Sequence, residues 1–374
     1  MTLRQYLAKH PGADTVSARL AAKVSTNIDP SRPRRAVRGA LTLSLAGVQF
    51  PVDLRVPQDA CLPPPENYVL PDTGSSKASV HHILTSLRKR RTTWIHGPTG
   101  SGKDAIVHFV SAACRIPGLY VEFRPESDPS AKIACRSFRN GSTVWEEGEV
   151  LRAICDGYEV RDASGNVVER IPYLILLSDL DRATPEHLEL FRPILDSIVG
   201  RVPLPNGQIR HVLRGTQFVA TANTVGTGEK TIDYVTAQAQ DISMLNRFEC
   251  FYALDYPEWN ITAEALRRQF PAILGASPDL LDRLGEFVKA LRKEGGRVLK
   301  TPFSHRDAVA CLNHISDLVE VAGWTAAPGD KKLVFAGLRS WFNRLPPDAV
   351  SIALGIANTN MKNVDVPKSL DAFP

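Results

Sequence analysis

From Leu41 the chain alternates apolar and polar residues strictly: Leu41, Leu43 and Leu45, a break at Ala46-Gly47, then Val48, Phe50, Val52, Leu54 and Val56. Period two on both sides of a small-residue turn predicts a β-hairpin. Two strands alone are marginal, so this hairpin must pack on something, a neighbouring subunit being one candidate. Residues 57–76 are rich in proline, with Pro63-Pro64-Pro65, and read as a linker. The pattern then predicts a helix over 77–91, a strand over 92–96, a helix over 103–114, a strand over 119–124 and a helical region from Trp145 to Cys155. Tyr158 to Ile171 alternates around Ala163-Ser164-Gly165-Asn166, a second hairpin, and the unbroken apolar run Tyr173 to Leu177 reads as a buried strand. Alternating α and β elements predict an α/β fold, a doubly wound parallel sheet. Residues 258–374 read as helical, through Ala263 to Phe270, Leu280 to Arg292, Arg306 to Val321 and Leu333 to Phe342, with a Pro-rich tail. The expected organisation is residues 1–76 as a basic arm, hairpin and linker, 77–257 as an α/β core, and 258–374 as a helical domain.

Composition changes this picture little. Of 374 residues, 43% are hydrophobic and 23% charged, ordinary for a soluble globular protein. No apolar run approaches membrane-spanning length. Six cysteines, with no C-x-x-C pair, predict a reduced, cytoplasmic protein without a zinc site. Charge is more informative. Residues 1–38 hold eight Lys/Arg against Asp14 and Asp29, a net of +6, which leaves −1 for the rest of a chain whose total is +5. Such an arm is either a contact for nucleic acid or an acidic partner, or a solvated terminus.

The chemistry gathers in Gly97-Pro98-Thr99-Gly100-Ser101-Gly102-Lys103-Asp104, between a predicted strand and a predicted helix. Strand, glycine-rich loop, lysine and helix form the phosphate-binding context G-x-x-x-x-G-K. Glycines let backbone N–H groups turn toward phosphate oxygens, the helix N-terminus adds positive potential, and Lys103 reaches the outer phosphates. A nucleoside triphosphate is the expected ligand. The residue after the lysine is normally Ser or Thr, whose hydroxyl ligates Mg²⁺; here it is Asp104, which also suits the first turn of a helix.

A second motif, Leu174-Ile175-Leu176-Leu177-Ser178-Asp179-Leu180-Asp181-Arg182-Ala183, resembles the acidic motif of AAA+ ATPases in its MoxR, CbbQ and CobS form. The run from Phe218 through Asn223 to Gly228 is similar to the sensor-1 strand and glycine loop of the CobS branch. Trp145-x-x-Gly148-x-x-Leu151, Tyr234, Leu245-Asn246-Arg247-Phe248 and Leu254-Asp255-Tyr256-Pro257 extend the resemblance over roughly residues 77–360. It implies ATP and Mg²⁺ as cofactors, a P-loop core and a helical lid. Residue by residue it implies Asp179 as the water-activating acid, Asn223 as sensor 1, Arg247 as an arginine finger and Arg306 as the sensor-2 arginine. Asp181 and Arg182 read as a structural or intersubunit contact.

Ser178 stands where the family has its metal-associated Asp. With Asp104 in the phosphate loop, carboxylate and hydroxyl have exchanged places, and the hard oxygens around Mg²⁺ are preserved. A shift of one residue instead makes Asp179 the metal carboxylate and leaves Leu180 in the acid's place, which predicts binding without hydrolysis. Residues 201–210 fit the hairpin that precedes sensor 1 and faces a central pore in this clade, with Arg210 and His211 as contact candidates; a solvated turn fits equally well. The resemblance further implies a ring, hexameric in expectation, and a CobT-like partner carrying a von Willebrand A-type domain, with metal insertion belonging to the complex. Two other readings stay open: a DNA-acting translocase or replication ATPase using the basic arm, and an ATP-gated scaffold with little hydrolysis.

Overall fold

The computed structural model describes residues 41–124, 130–139, 141–196, 200–204, 206–226, 237–295, 303–325 and 332–361. The basic arm, the Pro-rich tail, Tyr234 and Gly228 of the sensor loop lie outside them. The chain divides into two compact units, residues 1–98 with 102–255, and residues 256–374 with Thr99–Ser101.

The first unit is built on a five-stranded sheet of β3 (Thr93–His96), β4 (Gly118–Glu122), β9 (Leu174–Ser178), β12 (Gln217–Ala222) and β13 (Cys250–Ala253). All neighbours pair in parallel, in the order β13-β3-β12-β9-β4. Parallel strands need long crossovers; the α1 helix (Ser76–Arg88) leads into β3, and the α2 (Lys103–Cys114), α3 (Glu149–Asp156) and α4 (Pro185–Leu195) helices lie in the connections from β3 to β4, β4 to β9 and β9 to β12. The expected α/β doubly wound sheet is present.

Period-two alternation inside the buried strands sorts their side chains into two cores. Ile95, Leu174, Leu176 and Val219 join α1 and α2; Trp94, Ile175, Leu177, Phe218 and Ala220 join α3 and α4. The N-terminal hairpin, β1 (Leu41–Leu45) and β2 (Val48–Val52), pairs Leu43 with Phe50 and Leu45 with Val48 across the Ala46-Gly47 turn. Its apolar face is buried in the first of these cores, beside Val80, Ile83, Leu84 and Phe109. The Pro-rich run is also packed down: Leu62 and Leu70 are buried, and Cys61 bridges to Pro117.

Three further hairpins stand on the sheet unit: β5 (Ala134–Arg139) with β6 (Ser142–Glu147), β7 (Tyr158–Arg161) with β8 (Val167–Ile171), and β10 (Arg201–Pro203) with β11 (Ile209–His211). The first was not expected, and it corrects the helical reading around Trp145. That residue sits in β6 opposite Arg136, whose guanidinium lies 4.9 Å over the indole ring. A ribbon that buries neither face has no apolar period to read.

The second unit is helical: α5 (Trp259–Gln269), α6 (Pro271–Ala276), α7 (Leu280–Ala290), a π turn over Leu291–Gly295, α8 (His305–Glu320), α9 (Leu333–Phe342) and α10 (Pro347–Asn360). Phe287, Phe303, Trp341 and Phe342 meet edge-to-face and stacked at its centre. Ser304 and Asp307 form a reciprocal capping box at the start of α8.

Two outcomes test this packing. Phe50→Ala, at a side chain 1% exposed, is expected to cost the first unit about 3–5 kcal/mol in denaturant unfolding, whereas Gln49→Ala, on the exposed face of the hairpin, stays near zero. Burial pushes the His305 imidazole below its ordinary pKa. Unfolded chains protonate this group near about 6.5 while the folded unit resists, so stability is present above that pH and falls as the solution is acidified. Urea unfolding of the helical unit at neutral and acidic pH should show the loss, and His305→Gln should flatten it; an equal loss in the variant would remove His305 as its cause.

Candidate functional site

The site lies at the carboxyl ends of β3, β12 and β9, where the chain order reverses across the sheet. From β3 the chain crosses to the β4 edge, while β13 pairs on the opposite side of β3. Crevices at such switch points are where open α/β sheets take ligands. Register brings the ends together: His96 pairs with Ala222, Ala220 with Leu177, and Glu122 with Ser178.

The phosphate loop follows β3 directly. Gly97 has φ 153°, and a Cβ there would stand 2.0 Å from the Leu254 carbonyl oxygen. Its N–H donates to the Ala222 oxygen at 3.2 Å, holding the loop against β12. Gly100 and Gly102 take φ values of 81° and 93°, in the left-handed region that side chains disfavour. Ser101 is buried, and its hydroxyl has no hydrogen-bond partner among the described residues.

Lys103, the first residue of α2, is 7% exposed. Its ammonium donates to the carbonyl oxygens of Gly97 (2.8 Å) and Pro98 (3.0 Å) and to Asn223 Oδ1 (3.2 Å). A buried cation needs such acceptors. The contact with Asn223 joins two residues that the sequence placed in separate motifs.

Asp104 and Ser178 meet directly: Ser178 Oγ donates to Asp104 Oδ2 at 2.6 Å. Ser178 is 2% exposed at the end of β9. Tyr120, on β4, was missed by sequence reasoning. Burial raises its pKa, and its ring meets His108 edge-on at 5.7 Å. Its only sequence signal was a tyrosine in a strand, which many cores contain. No group of three or more His, Cys, Asp or Glu able to hold a metal occurs among the described residues. A carboxylate and a hydroxyl beside a phosphate loop nevertheless fit Mg²⁺, which takes one or two protein oxygens and completes its shell with phosphates and water.

Asp179 leaves β9 with φ 53°, a left-handed conformation that aspartate adopts more readily than most non-glycine residues, and its carboxylate lies 3.5 Å from Arg182. Leu180, the position a shifted register would place at the acid's site, is fully buried in the core. Asp181 is also fully buried, and burial raises its pKa against the hydrogen bonds it accepts from Thr224 and Asn223.

Arg247 donates to the Arg192 carbonyl at 3.1 Å and to the Ser243 carbonyl. Arg306 is exposed in the first turn of α8. Arg210 is tied into ion pairs with Asp156 (2.8 Å) and Glu147 (3.3 Å), and His211 is exposed at the end of β11.

Residues 93–238 match the family model described as AAA domain (dynein-related subfamily). A relative called uncharacterized protein SH1500, from Staphylococcus haemolyticus (strain JCSC1435), is 22% identical over 235 residues, 61% of this chain and 77% of its own length. A solved structure of a RuvB mutant from Thermotoga maritima aligns at 12% identity over 79% of this chain and 87% of that one, with a TM-score of 0.43.

Because the Gly97 site has no room for a methyl group, Gly97→Ala is expected to displace the loop or β13 and to cost about 1–3 kcal/mol or more. Denaturant unfolding checks this; native stability in the variant would show that the loop is not packed on Leu254 as described.

Proposed function

We propose that the chain is a Mg²⁺-dependent ATPase of the AAA+ class, acting as a ring of identical copies that remodels a partner protein. The observation that carries this reading is the convergence of Lys103, Asn223, Asp104 and Ser178 at one end of the sheet. Phosphate oxygens entering the loop would exchange with the Gly97 and Pro98 carbonyls for the Lys103 ammonium. Asp104 and Ser178 would hold the metal, which when bound supplies positive charge against the phosphates. Asp179 orients and deprotonates the attacking water, from one methylene further back than a glutamate, so turnover is slow. Asn223 holds the same water from the β12 side.

Arg247 is the candidate arginine finger. Carbonyls hold its guanidinium, and among the described residues it meets no carboxylate. Its charge thus stays available to a nucleotide on a neighbouring copy, where an arginine stabilises the transition state. Arg306 is proposed as a nucleotide sensor on the helical unit. The MoxR/CobS resemblance supports a partner with a von Willebrand A-type domain, cytoplasmic work and a role in metal insertion carried out by the whole complex.

Steady-state ATP hydrolysis with Mg²⁺ tests the reading. Lys103→Ala, Asp179→Ala and Arg247→Ala should each lower kcat/KM by at least about a hundredfold. A native chain that binds ATP without turnover favours the ATP-gated scaffold. Stimulation by DNA, with a salt-dependent affinity lost on deleting residues 1–38, favours the DNA-acting alternative. A second measurement probes Asp104: its carboxylate repels phosphates when no metal intervenes, so ATP affinity should fall at least about tenfold on chelation. Equally tight ATP binding in excess EDTA would sink the proposed exchange of carboxylate and hydroxyl.

A further inference from the structure

We propose that Asp181 is a positioning residue of the nucleotide site, a clamp that fixes the loop after β12 so that Asn223 is held at Lys103 and at the reacting water. Three donors converge on one oxygen of its carboxylate. Asp181 Oδ2 accepts from the Asn223 N–H at 2.9 Å, the Thr224 N–H at 3.0 Å and the Thr224 hydroxyl at 3.1 Å. Both Asp181 and Thr224 are buried, so these bonds form out of competition with water, where a charged acceptor is strongest. The same loop is braced from behind, where Trp94 Nε1 donates to the Thr224 carbonyl at 3.3 Å and Gly226 N–H to the Thr224 hydroxyl at 3.3 Å.

The clamp also couples two functional positions. Asp181 sits in a single 3₁₀ turn, Leu180–Arg182, whose entry residue is Asp179. The Arg182 N–H closes on the Asp179 carbonyl at 2.9 Å, and the Ala183 N–H on the Leu180 carbonyl at 3.1 Å. One rigid turn therefore carries the proposed base at its entry and the anchor of the sensor loop two residues later. The spacing between Asp179 and Asn223 is set by this bond set rather than by the flexibility of either side chain.

Stability alone does not account for the residue. Asp181 Oδ1 is buried and has no hydrogen-bond partner among the described residues, and burial works against its ionised form. A buried carboxylate with one unsatisfied oxygen costs free energy that a neutral, apolar pairing would avoid. What the carboxylate provides is three convergent bonds that hold one loop in one place.

This inference rests on the hydrolytic reading above, and the experiment separates the two. In the full chain, kcat and KM for ATP are measured for Asp181→Asn, Thr224→Val and Thr224→Ser, together with amide hydrogen exchange over the segment containing residues 223 and 224. Asp181→Asn should lower kcat at least about tenfold with KM within about twofold, and its loop amides should exchange faster. Thr224→Val, which removes one of the three donors, should fall in the same direction by less, and Thr224→Ser, which keeps the hydroxyl, should behave as the native chain. An unchanged kcat in Asp181→Asn, or a rise in KM alone, would overturn the proposal. Should Asp181→Asn fail to fold, native kcat in Thr224→Val does the same. A native chain without turnover would refute the hydrolytic reading itself. Exchange would then decide the clamp, and unchanged protection at 223 and 224 in Asp181→Asn would remove it.

Discussion

The structure depends on one strand that can sit in only one place. β12 is buried along its whole length and pairs in parallel with β3 on one side and β9 on the other. A slip of one residue would turn Phe218 and Ala220 into the opposite core and Val219 out of its own. The two cores therefore lock the register, and the register fixes which residues stand at the carboxyl ends. Ala222 accepts the Gly97 N–H, Asn223 follows at once, and Ser178 ends the neighbouring strand. Hydrophobic burial at the middle of the sheet is what places polar chemistry at its edge.

Electrostatics then divides that edge into two halves. On one side a buried ammonium donates to carbonyl and amide oxygens. On the other, a carboxylate at the first turn of α2 accepts a hydroxyl from β9. The Asp104–Ser178 contact bears on the most unusual feature of the sequence. Facing each other at 2.6 Å, Asp104 and Ser178 form one complementary donor–acceptor pair.

Much of the fold was legible. Strict alternation gave the N-terminal hairpin, an unbroken apolar run gave β9, and helical periodicity gave α2 over the range observed. The misses have separate causes. The β5–β6 ribbon exposes both faces, Phe138 being 75% exposed, so it carries no burial pattern for a reader to detect. The Pro-rich run lacked periodicity for another reason: it is held by isolated contacts at Leu62, Leu70 and Cys61 rather than by a repeating face. Asp181 was underestimated because its hydrogen-bond partner Thr224 lies 43 residues away in the chain.

The sequence by itself determined the local elements and the residue types of the phosphate loop, because periodicity, glycine placement and the lysine at a helix start act over a few neighbouring residues. The expected exchange of carboxylate and hydroxyl between Asp104 and Ser178 came from the resemblance alone. Only the tertiary structure decided that these two touch, that Lys103 rests on Asn223, and that the Asp181 carboxylate gathers the donors of Asn223 and Thr224. The physical reason is the parallel sheet. Its crossovers separate in sequence the very strand ends that its hydrogen bonds and cores bring side by side.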